Sequence, residues 1–104
     1  MHVTISARHC EIDDSLRARA EAVLQRFDQM TPFAQTATVV FDAESTRQTV
    51  EIRLHLSGGR MFVAHSDGDD HKTALDRAEA KLRHQLERPT AKPSRNPRRS
   101  ARRP

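Results

Sequence analysis

Between Thr49 and Leu56 the chain alternates without a break. Val50, Ile52, Leu54 and Leu56 are apolar, while Thr49, Glu51, Arg53 and His55 are polar or charged. Successive side chains of a strand point to opposite faces, so this pattern dictates a strand that is buried on one side and wet on the other. A sheet built on such a strand is covered on one face only, and the rest of the chain must supply the cover. Two segments qualify. Leu16, Ala20, Val23, Leu24 and Phe27 recur at helical spacing behind Asp13, whose carboxylate caps a helix by accepting from free backbone N–H groups. Leu75, Ala78, Leu82 and Leu86 form a second stripe, opened by Asp67-Gly68-Asp69-Asp70 and ended before Pro89. The first helix stops ahead of Pro32, which disfavours helical geometry in the residue before it.

The remaining strands follow from weaker alternations. Val3, Ile5 and Ala7 against Thr4, Ser6 and Arg8 describe a half-buried first strand. Ala37, Val39, Phe41 and Ala43 alternate with Thr38, Val40 and Asp42. Gly58-Gly59 offers a tight turn, and Arg60 to Ser66 continues as a strand. Its phase is open: either Phe62 and Ala64 or Met61 and Val63 face the core. The order β-α-β-β-β-α predicts an α+β domain with a four-stranded mixed sheet and two helices on one face. The first β-α-β step should be a right-handed crossover between parallel strands, and the later strands antiparallel hairpins.

Charge divides the 104 residues in two. Residues 1–88 hold twelve Lys/Arg against fourteen Asp/Glu, whereas residues 89–104 hold six Lys/Arg and no acid. Four prolines and scant apolar surface make those last sixteen residues read as a disordered basic arm. An arm of this sign on a near-neutral body suits a polyanion, above all nucleic acid. The arm's cations are Lys92, Arg95, Arg98, Arg99, Arg102 and Arg103. Only Phe27, Phe33, Phe41 and Phe62 are available to stack on bases, because Tyr and Trp are absent. That argues against an aromatic single-strand platform. No apolar run reaches membrane-spanning length, and His2-Val3-Thr4-Ile5 alternates where a secretory leader would not. The single Cys10 excludes an internal disulfide and fits a reducing cytoplasm.

On the second helix Arg77, Lys81, His84 and Arg88 fall at i, i+4, i+7 and i+11, one stripe set roughly opposite the apolar one. Asp76, Glu79 and Glu87 gather on another flank. A solvated helix gains pair energy by mixing signs, and here the positive charges are segregated. Arg19 and Arg26, seven residues apart, share a side of the first helix. With the helices side by side, these residues would make one ridge against the repeating phosphates of a nucleic-acid backbone. Asp67, Asp69, Asp70 and His71 lack the later Glu of a calcium loop and read as helix-capping acids. The six histidines show no zinc spacing, and neither a phosphate loop nor a nucleophile elbow is present. The residues therefore describe a binding protein with no enzymatic site, no metal, no cofactor and no small-molecule substrate.

Several segments taken in order resemble the ribosome hibernation-promoting factor family, also called ribosome-associated translation inhibitors. They are Ile12-Asp13-Asp14-Ser15-Leu16-Arg17, Leu54-His55-Leu56-Ser57-Gly58-Gly59, Asp70-His71-Lys72-Thr73-Ala74-Leu75-Asp76 and Lys81-Leu82-Arg83-His84-Gln85-Leu86. The family's pattern in the last two runs Asp-x-Tyr-Ala-Ala-Ile-Asp and Lys-Leu-x-Arg-Gln-Leu. The resemblance covers residues 1 to about 88 and implies binding along small-subunit rRNA in the decoding region, with translation silenced in stress or stationary phase. It implies a cytoplasmic protein, monomeric away from the ribosome, of the short form without a second domain. Matched positions support Arg26, Lys81 and Arg88 as phosphate contacts. His84 stands where the family has Arg, Lys72 where it has an aromatic, and Ala22 and Val23 where it carries a lysine pair. A generic double-stranded RNA-binding module shares an α-β-β-β-α core, but it has no need of the strand Val3 to Ala7. A regulator of a transcription component, suggested by an older description of the same family, has no support in these residues.

Overall fold

The computed structural model describes residues 1–87. Strand β1 (His2–Ala7) leads to helix α1 (Asp14–Met30), then to β2 (Ala34–Glu44), β3 (Arg47–Leu56), β4 (Met61–Gly68) and helix α2 (His71–Glu87). The strands lie side by side in chain order, β1 parallel to β2 and the other pairs antiparallel. This is the expected mixed sheet with two helices on one face.

Each element forms for the local reasons its sequence offers. Asp13 stays extended and accepts from the Leu16 N–H at 2.8 Å, capping α1. Thr31, held out of helical geometry ahead of Pro32 with φ −130° and ψ 90°, ends it. Gly58 and Gly59 adopt φ of +92° and +91° in the β3–β4 turn, a region that a Cβ would penalise. The alternation on β3 places Val50, Ile52 and Leu54 in the core, level with Phe41, Val39 and Ala37 of β2. The phase of β4 is settled in favour of Phe62, Ala64 and Ser66 inside, with Met61 and Val63 exposed. Ala20, Val23, Leu24 and Phe27 of α1, with Leu75, Ala78 and Leu82 of α2, close over this face.

Two expectations need correction. β1 is only partly buried at Ile5, and Val3 is 41% exposed, because β1 is an edge strand at the rim of the cover. The acidic run before α2 does not act as one cap. Asp67 and Gly68 finish β4, and Asp70 alone caps α2 by accepting from the Thr73 N–H at 2.7 Å. Asp67 and Asp69 instead receive the Arg47 guanidinium from across the sheet, at 3.5 and 2.7 Å. Gly68 is needed where it stands, since a Cβ there would meet the Thr73 side chain and the Ala74 nitrogen at 3.2 Å.

Candidate nucleic-acid interface

The described cations expected to bind, Arg19, Arg26, Arg77, Lys81 and His84, divide between the two flanks of α2. On the flank above the sheet edge, Arg77 donates to the Asp67 carbonyl, Lys81 to the His65 carbonyl and Gln85 to the Val63 carbonyl, each at 2.9 Å. The match is metric. Four helical residues rise about 6 Å and two strand residues about 6.6 Å, so a row at i, i+4, i+8 meets every second carbonyl of an antiparallel strand. β4 is the outer strand here, and these side chains satisfy its otherwise unpaired acceptors.

The basic stripe is thus real but rotated from the expected direction. It does not stand opposite the apolar face; it leans over β4. Arg77 and Lys81 nevertheless remain exposed, and each spends one donor on the strand while keeping its charge and its other N–H groups. His84 is exposed on the same flank. Arg88 and the arm residues Lys92, Arg95, Arg98, Arg99, Arg102 and Arg103 lie outside the described residues.

The other flank of α2 faces α1, and there the expected two-helix ridge does not form. Arg19 and Arg26 of α1 meet acids instead. Arg19 contacts Asp76 through Nε at 3.4 Å and through Nη2 at 3.2 and 3.3 Å. Arg26 grips Glu79 through Nε at 3.0 Å and Nη2 at 2.8 Å. Arg83 reaches the same Glu79 from one turn further along α2, at 2.7 Å. Arg83 escaped the sequence reading because it lies off the basic stripe; its i, i+4 spacing from Glu79 was the available signal. The α1–α2 seam is therefore ionic above and apolar below. Three arginines stand against two acids along it.

Near the helix N-termini, His71 ties α2 to the sheet. Its Nε2–H donates to the Asp42 carbonyl at 2.8 Å, and its ring meets Phe41 edge-on at a centroid distance of 5.3 Å. The Cys10 sulfur lies 3.9 Å from the same nitrogen, and partial burial pushes its thiol pKa up. That favours the inert protonated form. His9 donates through Nδ1 to the Asp42 carboxylate at 3.0 Å. With the Ala43 N–H also donating to it, the Asp42 carboxyl is held below the ordinary carboxylate range. Asp67, bonded by Arg47, and Asp70, bonded by Thr73, are lowered in the same way.

Aromatic readers are scarce. Phe27 and Phe41 are fully buried, and Phe62 carries the Arg60 guanidinium 5.2 Å above its ring. Phe33 alone is widely exposed, at 68%. Among the described residues no three His, Cys, Asp or Glu side chains converge as a metal site would require. No helix among them is long and apolar enough to cross a membrane. The guanidinium and ammonium groups that these two helices carry are of the chemical kind that meets phosphates.

Comparison with known proteins follows the same lines. The model of the family described as Sigma 54 modulation protein / S30EA ribosomal protein matches residues 3–93. The ribosome hibernation promoting factor of Azotobacter vinelandii is 30% identical over 86 residues, which span 83% of this chain and 79% of that protein. The ribosome hibernation promotion factor of Rhizobium meliloti (strain 1021) is 27% identical over 89 residues, 85% of this chain but 47% of that longer protein. The crystal structure of the Thermus thermophilus Protein Y N-terminal domain superposes with a TM-score of 0.71 at 28% identity, covering 84% of this chain and 97% of that one. A ribosomal subunit interface protein from Coxiella burnetii shares the fold, with a TM-score of 0.73 at 22% identity over 83% of this chain and 93% of that one. A family match across nearly the whole described body, with a relative at this identity over most of its own length, leaves one assignment: the chain belongs to the Sigma 54 modulation protein / S30EA ribosomal protein family.

Proposed function

We propose that this protein is a non-catalytic ribosome-binding factor that occupies the decoding region of the small subunit and halts translation during stress or stationary phase. The observation that carries the reading is the family match together with relatives named ribosome hibernation promoting factors, which align along the folded body. The surface chemistry fits it. A steric blocker needs a stable body and backbone contacts, not base readout, and the cations here are point charges and guanidinium forks on helices. Arg19, Arg26, Arg77, Lys81, His84 and Arg88 are the proposed rRNA contacts of the body, and the six cations of residues 89–104 those of the arm. Such a protein is expected in the cytoplasm and as a monomer when free.

The test is co-sedimentation with purified small subunits at two salt concentrations, paired with a cell-free translation assay. Binding should weaken steeply as salt rises, because each neutralised phosphate releases counterions. Saturating protein should lower the translation yield. Unchanged translation, with the protein remaining off the subunit at low salt, would refute the proposal.

A further inference from the structure

The Glu79 side chain is only 11% exposed, and three N–H donors converge on its Oε2 atom. Two of the donors belong to Arg26 of α1 and the third to Arg83 of α2. Two guanidiniums from different helices thus share one carboxylate oxygen and one negative charge. The cluster keeps a net charge of +1. Burying the carboxylate makes the anchor firm, since a charge that loses water depends on the donors gathered at Oε2. The arginines themselves stay half in solvent, at 51% and 41% exposure. A guanidinium carries five N–H donors, and among the described residues Glu79 takes the only side-chain hydrogen bonds that either arginine makes.

We propose that Arg26 and Arg83, fixed side by side by Glu79, form a seat for one phosphodiester group of an RNA strand. The inference rests on the RNA-binding reading above and gives it a site. Two like charges held together by a single acid leave an unneutralised positive charge, and an incoming anion completes the balance. One residual charge matches a phosphodiester, which carries a single negative charge, better than a phosphomonoester, which carries nearly two at neutral pH. Guanidinium forks suit phosphate oxygens in geometry as well as charge. The anchor also lowers the cost of binding, because rotamers already fixed by Glu79 lose little freedom on meeting the ligand. Glu79 is a positioning residue here and touches no phosphate itself.

The test uses the full chain and two probes, a short RNA duplex of arbitrary sequence followed by fluorescence anisotropy in a salt titration, and purified small subunits in sedimentation. Arg83→Gln leaves Arg26 on Glu79, so the fold should persist, checked by circular dichroism and the melting temperature. It should weaken duplex binding about tenfold at low salt and lower the magnitude of the salt slope by about one. Glu79→Gln makes the protein more positive by one charge yet should also weaken binding and flatten the slope, because the forks lose their ionic anchor. A duplex affinity and slope unaffected by Arg83→Gln, or a tightening with Glu79→Gln, would overturn the seat. If the duplex behaves as stated while small subunits are ignored, the seat stands and the ribosome reading fails. If subunits bind while the duplex ignores Arg83→Gln, the reverse holds.

Discussion

Thr31 closes α1 with its hydroxyl Oγ1 buried and without a hydrogen-bond partner among the described residues. The methyl half of the side chain is useful there and the hydroxyl is a cost. Thr31→Val keeps the shape and removes the orphan, so it should stabilise the protein by about 1 kcal/mol, read as a higher urea midpoint at unchanged m value. A second residue-scale expectation concerns acid. His9 and the Ala43 N–H lower the Asp42 pKa in the folded protein. A carboxyl lowered on folding contributes stability above its unfolded value near pH 4, and that contribution is lost as pH falls through the folded value. Asp42→Asn should therefore be less stable than the parent at pH 7, with the gap closing below about pH 4 in denaturation series run at both pH values. Neither site was visible in the sequence. The orphaned hydroxyl depends on how α1 meets β2, and the His9–Asp42 contact joins residues 33 positions apart.

At the scale of elements, α2 performs two tasks with one helix. Its apolar stripe covers the sheet, while Arg77, Lys81 and Gln85 seal the outer edge of β4. Open strand edges template pairing with other chains. Replacing all three by Ala should cost about 2–3 kcal/mol, about 1 for each lost hydrogen bond. It should also produce self-association that rises with concentration, measured by light scattering. A monomeric, undiminished triple variant would show that the edge needs no seal. The strands, helices and their order were legible because alternation and helical spacing report directly on the faces they bury, as Val50, Ile52 and Leu54 do against Leu75, Ala78 and Leu82. The charge pattern was legible only in part. Periodicity places Lys81 on a stripe, but the direction of that stripe depends on which strand lies beneath. Arg19 and Arg26 likewise look free until the acids of α2 are seen to face them.

For the whole molecule, we expect the balance of charge between residues 1–88 and 89–104 to set how salt acts. The six arm cations exceed the excess of acid over base in residues 1–88, so the protein is positive only through its arm. Deleting residues 89–104 should weaken rRNA binding and flatten its salt dependence, while the footprint on rRNA stays in place. A moved footprint would mean that the arm selects the site. The packing is uneven as well. α2 lies closely along β3 and β4, whereas α1 touches β1, β2 and α2 more sparsely. The parallel register of β1 on β2 is closed only by way of α1, while every other strand pair is joined by a short hairpin. That unevenness makes the β1–α1 end the less tightly held part of the domain. Opening should begin with β1 and α1 and leave the β2–β3–β4–α2 unit intact for longer. In native-state hydrogen exchange the amides of β1 should trade with solvent through sub-global fluctuations, and those of β3 only when the whole domain unfolds.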